Sequence, residues 1–239
     1  MPNFKLPKIL GNKRIFFGGK TRTGKSTAAR TLLKFKASEG WWVIIVDPKR
    51  DWMKAGDHER RPYGELTKDF KGSVESPVKI DTFNPEVKVG IIESVSWDAR
   101  LDDMVQAAMA HGYVIFYFDE IRQYCKGSHA PLQLIILYTQ GAAANVGCWA
   151  GNQRPVGIPE DMKSQAEIWL IFYIPKYEDK MVIASYLPWN DAVKWFCEHD
   201  LPYYYFLYYD DQMKGPIILP PIQLAEGNGA RGGMGERAG

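Results

Sequence analysis

The chain is 239 residues long, with 46% hydrophobic and 24% charged side chains, a composition that excludes general disorder. Its length suits one large domain or two small ones and allows a core that needs no disulfides. The formal net charge is only +2, but the first fifty residues carry twelve lysines and arginines against Glu39 and Asp47. The rest of the chain is therefore acidic, and the basic start is a candidate for contact with an anionic partner.

The predicted elements alternate between apolar strands and helices. Strands are expected at 14–18, 42–46, 78–83, 89–94, 113–118, 147–151, 167–174, 203–209 and 217–219. Helices are expected at 26–35, 101–111, 132–140 and 177–186. The unbroken β-branched run at 42–46 is typical of a strand buried on both faces, as in a parallel sheet. This order predicts an α/β fold with a mostly parallel sheet and covering helices.

The sequence lacks the patterns that mark several classes of protein. The three cysteines and four histidines are scattered and show no metal-ligand or disulfide-framework spacing. No run approaches 18 apolar residues, so we expect no transmembrane segment. The basic first residues lack an apolar stretch of signal-peptide length. We therefore expect a soluble intracellular protein.

Residues 19–26 read GKTRTGKS and match the G-x-x-x-x-G-K-S/T pattern of a phosphate-binding loop. Glycines let the backbone N–H groups approach phosphate oxygens, and the following helix presents its positive end to them. Lys25 is predicted to contact the β and γ phosphates of ATP, and the Ser26 hydroxyl to bind Mg²⁺. The expected nucleotide-binding set is Gly19, Lys20, Thr21, Arg22, Thr23, Gly24, Lys25, Ser26 and Thr27.

Two adjacent acids, Asp119 and Glu120, follow the most apolar predicted strand, YVIFYF. In open α/β sheets, ligands bind at the carboxyl ends of the strands. An aspartate at that position can organise Mg²⁺, and the glutamate after it can act as general base toward water. The pair therefore favours hydrolysis over phosphoryl transfer to a small acceptor.

A polar residue ends the next predicted strand, within CWAGNQRP at 148–155. In P-loop ATPases, the strand beside the acidic strand carries a polar side chain that contacts the γ phosphate or the attacking water. Gln153 fits this role by position, and Asn152 is the alternative.

Four segments together resemble the HerA–FtsK superfamily of DNA-pumping ATPases: GKTRTGKST, WVIIVDPKRDW, YVIFYFDE and GNQRPVGIPEDMKSQAEIWLIFYI. The resemblance extends from about Arg14 to Tyr209, and the combination is more specific than the loop alone. The small single-domain form is similar to the genome-packaging ATPases of tailless viruses with an internal membrane and double jelly-roll capsids. The resemblance implies a RecA-like P-loop NTPase core with helices on both faces of the sheet.

The resemblance also implies roles for the matched residues. Lys25 and Ser26 would bind nucleotide and Mg²⁺, Asp119 would organise the metal, Glu120 would activate water, and Gln153 would sense the γ phosphate. It implies a homo-oligomeric ring, usually a hexamer, in which a neighbour's arginine completes each ATP site. Arg154 is the first candidate for that arginine because it follows Gln153. The alternatives are Arg122 and Arg100.

The resulting division of the chain is a basic N-terminal arm at 1–13, a RecA-like ATPase domain at 14–222 and a flexible glycine-rich tail at 223–239. The arm and the polar excursion at 49–76 supply candidate contacts to DNA phosphates. The basic candidates are Lys5, Lys8, Lys13, Arg14, Lys49, Arg50, Lys54, Arg60, Arg61, Lys68 and Lys71. Trp41, Trp42 and Trp52 are candidates for stacking on bases if they are exposed, with core or subunit packing as the alternative.

These expectations converge on an ATP-driven translocase that packages double-stranded DNA into a preformed viral capsid. It would work in the host cytoplasm, with capsid-vertex or internal-membrane proteins as possible partners. The alternatives are a cellular or plasmid DNA pump, a small P-loop kinase, and a non-catalytic scaffold that uses ATP only for assembly. Adjacent Asp119 and Glu120 argue against the kinase, and the complete set of nucleotide-site residues argues against the scaffold.

Overall fold

The computed structural model describes residues 9–49, 52, 72–127, 129–187, 189 and 191–222. Its strands are β1 Arg14–Gly18, β2 Trp42–Val46, β3 Val78–Lys79, β4 Val89–Ile92, β5 Val114–Phe118, β6 Val146–Asn152, β7 Ile168–Ile171, β8 Phe206–Asp210 and β9 Ile217–Leu219. Its α-helices are α1 Lys25–Ser38, α2 Ala99–His111, α3 Leu132–Gln140, α4 Glu160–Ser164, α5 Tyr177–Tyr186 and α6 Ala192–Glu198. Short 3₁₀ turns occupy Ile121–Tyr124 and Gly141–Ala144.

The strands form one nine-stranded sheet in the order β3-β4-β2-β5-β6-β1-β7-β8-β9. The first seven strands in that order are parallel, and β8 and β9 pair antiparallel at one edge. The prediction of a mostly parallel α/β sheet with a closing hairpin is therefore confirmed. In the centre of the sheet, Val46 pairs with Phe118 and Gly18 pairs with Asn152. This register brings the carboxyl ends of β1, β2, β5 and β6 to one edge.

The sheet has a separate hydrophobic core on each face, as its fully apolar strands require. In β5, Val114, Phe116 and Phe118 belong to one core, and Ile115 and Tyr117 belong to the other. Helix α1 covers the face with Tyr117, whereas buried side chains of α2, α3, α5 and α6 cover the opposite face. Helices on both faces, as predicted, keep the central strands out of water.

Helix α6 has no counterpart among the sequence predictions. It has only seven residues, so it is too short to show a convincing helical period. Its buried Phe196 and Ala192 pack on the same core as α5. Tertiary contacts, rather than local pattern, therefore define this helix.

Lys13 and Arg14, two of the candidate DNA contacts, form ion pairs within the chain. Lys13 Nζ lies 2.7 Å from Glu167 Oε1, and Arg14 Nε lies 2.9 Å from Glu167 Oε2. Glu167 directly precedes β7, which pairs with β1. These two cations therefore join β1 to β7 within the chain.

Part of the sequence predictions lies outside the described residues. They include the basic candidates Lys5, Lys8, Arg50, Lys54, Arg60, Arg61, Lys68 and Lys71 and the tail from residue 223 onward. Among the residues that are described, no helix is both long enough and apolar enough to span a bilayer.

Candidate nucleotide site

The predicted phosphate loop connects β1 to α1 and has the backbone that its glycines allow. Gly19 has φ +141° and Gly24 has φ +107°, both in the region that L side chains rarely adopt. A Cβ on Gly19 would lie 2.8 Å from Phe172 Cβ, so a side chain there would displace the loop. Gly24 caps α1 in a left-handed conformation and leaves the first N–H groups of the helix open to an anion.

The loop is held by the end of the neighbouring strand β7. The Phe172 N–H donates to Gly18 O at 2.8 Å, and the Lys20 N–H donates to Tyr173 O at 2.9 Å. Within the loop, the buried Thr23 hydroxyl donates to Lys20 O at 2.7 Å. These bonds fix the loop before any ligand binds. The side chains of Lys20, Thr21, Arg22, Ser26 and Thr27 are exposed along it.

Lys25 is buried beneath this loop. Its ammonium donates to Gly19 O at 2.6 Å and to Lys20 O at 3.0 Å. Burial lowers the pKa of Lys25 to about 8, although the carboxylates of Glu120 and Asp119 oppose that shift. These two acceptors are neutral carbonyl oxygens. A bound phosphate would offer the Lys25 ammonium negatively charged oxygens instead.

Ser26 and Asp119 meet across the sheet edge, as predicted from their motifs. Ser26 Oγ lies 3.3 Å from Asp119 Oδ1. The Tyr117 hydroxyl donates to the same oxygen at 3.0 Å from within the core. A hydroxyl and a carboxylate suit Mg²⁺, which binds few protein ligands and keeps waters and phosphate oxygens around it. The described residues contain no cluster of three or more metal-ligating side chains, so a protein-only metal cage is not formed by them.

Tyr117 is a site residue that the sequence prediction missed. It lies two residues before Asp119 on β5, so both side chains point to the same face of the sheet. Gly151 on β6 makes room for it, since a Cβ there would lie 2.9 Å from the Tyr117 hydroxyl oxygen. The i, i+2 spacing of the tyrosine and the aspartate is the sequence feature that could have predicted this contact.

The residues after β2 form a second hydrogen-bonded group at the same edge. Asp47 is fully buried, and its carboxylate accepts the Lys49 N–H at 3.1 Å and the Trp52 N–H at 2.8 Å. Trp52 is buried, and its ring centroid lies 5.0 Å from that of Tyr117. The Arg30 guanidinium lies 4.5 Å from the centroid of the Trp52 ring. The possibility that Trp52 is exposed for base stacking is therefore wrong, and the packing alternative is correct.

Lys49 points to the candidate general base. Lys49 Nζ lies 2.7 Å from Glu120 Oε2, and the Lys49 side chain is 31% exposed. The sequence prediction had placed Lys49 among possible DNA contacts of a polar excursion. The structure instead places its ammonium beside Glu120, while its backbone N–H donates to the Asp47 carboxylate.

The two candidates for the polar sensor occupy different environments. The Gln153 N–H lies 3.4 Å from Glu120 Oε1, so this residue contacts the candidate base through its backbone. Asn152 is buried, its amide nitrogen donates to Arg154 O, and its Oδ1 has no hydrogen-bond partner among the described residues. A buried acceptor without a donor needs a water or a ligand group. Both side chains thus stay candidates for orienting a water.

The three candidate arginines differ in whether they already have partners. Arg154 Nε lies 3.0 Å from Asp179 Oδ2, and Arg100 pairs at 2.7 Å with Asp98, the N-cap residue of α2. Arg122 is exposed and forms no ion pair within the described part of the chain. Its guanidinium lies over Gly157, where an added Cβ would come within 2.9 Å of Nε. Of the three, Arg122 is therefore the one that is exposed and has no ion-pair partner among the residues that the structure describes.

A pocket of about 200 Å³ opens beside the start of α1. It is lined by Gly24, Thr27, Ala28, Phe172, Tyr204, Pro221 and Ile222. Tyr204 has φ +69°, an unusual conformation for a tyrosine, and is 55% exposed. Sequence reasoning missed this pocket because its walls come from four separate parts of the chain.

Comparison with solved structures finds this fold in several ATPases. The DNA-packaging ATPase B204 from Sulfolobus turreted icosahedral virus has a TM-score of 0.67 and 17% identity, over 90% of this chain and 100% of that chain. The genome-packaging NTPase B204 from Sulfolobus turreted icosahedral virus 2, solved with ATP-gammaS, has a TM-score of 0.67 and 16% identity over the same shares. The pCW3 conjugation coupling protein TcpA has a TM-score of 0.56 and 17% identity, over 87% of this chain and 60% of that chain.

These likenesses confirm the predicted P-loop ATPase fold. At 16–17% identity they establish the fold alone. No protein-family model and no curated protein sequence matches this chain.

Proposed function

We propose that the chain is an ATPase that drives double-stranded DNA into a preformed viral capsid. The observation that carries the proposal is the convergence of Lys25, Ser26, Asp119 and Glu120 at one sheet edge. The likeness to B204, a DNA-packaging ATPase that is covered over its whole length, supports the DNA and packaging parts of the proposal. The protein would act in the host cytoplasm, at a capsid vertex.

In this proposal, each group has a task in hydrolysis. The loop N–H groups and the start of α1 hold the phosphates, and Lys25 moves from the Gly19 and Lys20 carbonyl oxygens to phosphate oxygens. Ser26 and Asp119 would hold Mg²⁺, which neutralises phosphate charge when bound. Glu120 accepts the proton of the attacking water, and Asn152 or Gln153 orients that water.

The 200 Å³ pocket is where the nucleobase would lie. It adjoins Thr27 and Gly24, so it begins where the phosphate loop ends. Phe172 and the Tyr204 ring supply apolar and aromatic surface on which a base can stack. The lining contains two side-chain hydroxyls, those of Thr27 and Tyr204, and is otherwise apolar, so the base would be held mainly by stacking.

A ring explains how a domain of this size could complete the site and grip DNA. In P-loop enzymes, an arginine supplied from outside the subunit can stabilise charge in the transition state. Arg122 is exposed and forms no ion pair with any described residue, so it would be available to a neighbouring subunit's nucleotide. Successive subunits would then hydrolyse ATP in turn and move the DNA by its phosphate backbone.

A plasmid or cellular DNA pump is the second candidate, and the likeness to the coupling protein TcpA favours it specifically. That likeness covers only 60% of TcpA, whereas B204 is covered completely. We therefore place packaging first.

The test is ATP hydrolysis by the full chain with and without linear double-stranded DNA, together with the particle mass in ATP. We expect DNA to stimulate hydrolysis and the mass to be a multiple of the chain mass. Lys25→Ala and Glu120→Gln should abolish the stimulated rate. Undiminished turnover in either variant would refute the site, and phosphate transfer to a small acceptor by a monomer would establish a kinase.

A further inference from the structure

The buried amide of Asn152 is satisfied on one side only. Asn152 is the last residue of β6 and is 1% exposed. Its Nδ2 donates to the backbone oxygen of Arg154, whereas its Oδ1 has no hydrogen-bond partner among the described residues. A buried acceptor without a donor is destabilising, so binding of a group that donates to Oδ1 would be favoured.

The Asn152 amide lies at the edge of the sheet that carries the nucleotide site. Asn152 pairs in parallel with Gly18, and the phosphate loop begins at the next residue, Gly19. On the side of β6 that faces β5, a Cβ on Gly151 would lie only 3.0 Å from Asp119 O. The end of β6 is therefore enclosed between the phosphate loop and the acidic pair.

An unpaired amide oxygen suits water better than phosphate. Phosphate oxygens are acceptors, as is Oδ1, so the two would repel each other. A water molecule can donate one proton to Asn152 Oδ1 and direct a lone pair elsewhere. Gln153 differs, because its described contact is a 3.4 Å approach of its backbone N–H to Glu120 Oε1. These contacts favour Asn152 over Gln153 as the residue that orients the attacking water.

Helix α5 holds the residue to which the Asn152 amide donates. Arg154 Nε lies 3.0 Å from Asp179 Oδ2 and 3.3 Å from Asp179 Oδ1. Asp179 is in the first turn of α5, and its side chain is 4% exposed, whereas that of Arg154 is 44% exposed. Ile183 of the same helix is fully buried in the core. A continuous set of contacts therefore joins the core, through Asp179 and Arg154, to the Asn152 amide.

We propose that Asp179 is a positioning residue: it fixes Arg154, whose backbone oxygen in turn aims Asn152 Oδ1 at the attacking water. The inference rests on the proposed function, in which ATP is hydrolysed at this sheet edge. It gives Arg154 a task within its own subunit, in place of the role in a neighbour's site that the sequence suggested. Asn152 contacts the water, and Asp179 acts only through its neighbours.

The experiment compares wild type, Asn152→Ala and Asp179→Asn in steady-state ATP hydrolysis and in binding of a fluorescent, non-hydrolysable ATP analogue. We expect Asn152→Ala to lower kcat by about 100-fold, because the water loses the group that orients it. Asp179→Asn should lower kcat by about tenfold, since the amide stays in place but is no longer held. The dissociation constant of the analogue should change less than about twofold in both variants, because neither side chain contacts the nucleotide in this account.

A double variant tests whether Asp179 acts through Asn152. Once Asn152 is replaced by alanine, there is no amide left to position, so adding Asp179→Asn should lower kcat further by less than about twofold. A loss of stability alone would reduce the amount of folded protein in both backgrounds equally. Mixing Lys25→Ala with Arg154→Met should give no more activity than Arg154→Met alone, because Arg154 acts in its own subunit.

Glu167→Gln is the matched control. Glu167 is also a mostly buried acid that pairs with an arginine Nε, that of Arg14 at 2.9 Å, but it precedes β7, at the opposite ends of the strands. Its replacement should lower stability and leave kcat unchanged. If Asp179→Asn does not fold, as judged by binding of the analogue, Asp179→Asn with Arg154→Met removes both partners of the ion pair and should give the same loss of kcat.

The outcomes distinguish the inference from the function on which it rests. A kcat of Asp179→Asn within about twofold of wild type overturns the positioning role. An equal loss from Asp179→Asn in the two backgrounds overturns the route through Asn152. Activity of the mixture above that of Arg154→Met alone places Arg154 in a neighbour's site and overturns it as well. Wild-type hydrolysis that DNA does not stimulate contradicts the translocase proposal, whereas the kcat comparisons still test the positioning role.

Discussion

The Tyr117 hydroxyl donates a 3.0 Å hydrogen bond to Asp119 Oδ1, the same oxygen that lies 3.3 Å from Ser26 Oγ. The donor is fully buried between the strands, and a glycine at position 151 leaves room for it. Burial, and the nearby Asp119 carboxylate, raise the pKa of Tyr117 well above its ordinary value, so it stays protonated and keeps donating. The core of the sheet thus orients the predicted metal-organising carboxylate.

Replacement of Tyr117 by phenylalanine should impair the use of Mg²⁺. Without the hydroxyl, Asp119 loses a donor that fixes its orientation, and we expect about a tenfold higher Mg²⁺ requirement for hydrolysis. The measurement is a Mg²⁺ titration of ATPase activity at saturating ATP. Tyr208→Phe is a matched control, because Tyr208 donates to Asp210 at 3.3 Å with the same spacing on antiparallel β8. Equal Mg²⁺ dependence in all three proteins would contradict the role of Tyr117.

Nucleotide affinity should fall as the pH rises through about 8. Burial lowers the pKa of Lys25 to about 8, so the amine is charged below that pH and loses its charge above it. A bound triphosphate requires the charged form, and the affinity should decrease by up to about tenfold for each pH unit above 8. Titrations with a fluorescent ATP analogue between pH 6.5 and 9.5 measure this. Lys25→Met should bind weakly and without that pH dependence; a sloping profile in this variant would assign the titration to another group.

Tyr204→Ala should weaken binding of the base but not of the phosphates. Loss of ring stacking should raise KM for ATP about three- to tenfold. Inorganic tripolyphosphate has no base, so its inhibition constant should not change. Tyr203→Ala is the matched control, since Tyr203 is equally exposed at 55% but stacks on Tyr173 outside the pocket lining. Equal effects of the two variants on ATP, or a change in tripolyphosphate inhibition, would place the base elsewhere.

Arg154 and Arg122 should differ in their effect on stability. Arg154 pairs with Asp179, whose side chain is only 4% exposed. Arg154→Ala should therefore lower the free energy of unfolding by about 1–2 kcal/mol, a value reduced by the partial exposure of the arginine. Arg122→Ala should change it by less than about 0.5 kcal/mol. Urea denaturation measures both, and a larger loss for Arg122 would reverse this assignment.

The arginine that completes a neighbour's site should be revealed by mixing inactive variants. We expect Lys25→Ala and Arg122→Ala each to be inactive alone and to recover activity when mixed. In a mixed ring, a nucleotide on an Arg122→Ala subunit can meet the intact Arg122 of its neighbour. If activity instead recovers when Lys25→Ala is mixed with Arg154→Ala, the arginine that completes the neighbour's site is Arg154, the first candidate from the sequence. Full activity of Arg122→Ala alone would exclude Arg122.

Much of the fold and of the phosphate site could be predicted because both depend on local sequence. The run at 42–46 is apolar throughout and β-branched from Val43 onward, and it forms β2 at those residues. The spacing within residues 19–26 fixes a loop whose glycines have positive φ. Ser26 and Asp119 meet because the loop and the acidic pair follow parallel strands at one sheet edge, which the strand order implies.

The remaining site contacts could not be predicted because they depend on the register of distant segments. Lys49 and Glu120 are 71 positions apart, and nothing in the basic composition after β2 distinguishes Lys49 from a DNA contact. Trp52 is held in the core by the hydrogen bond from its backbone N–H to Asp47. The polar residues around it give no sign of this contact in the sequence. Tyr204 approaches Gly24 only after β8 has paired with β7.

The most direct test of the central claim is displacement of a third-strand oligonucleotide from linear double-stranded DNA. A translocase that moves along the duplex must strip the third strand in an ATP-dependent reaction. We predict that the wild-type chain displaces the oligonucleotide with ATP, and that Glu120→Gln binds ATP but does not. Hydrolysis of ATP at a DNA-stimulated rate without any displacement would contradict the translocase.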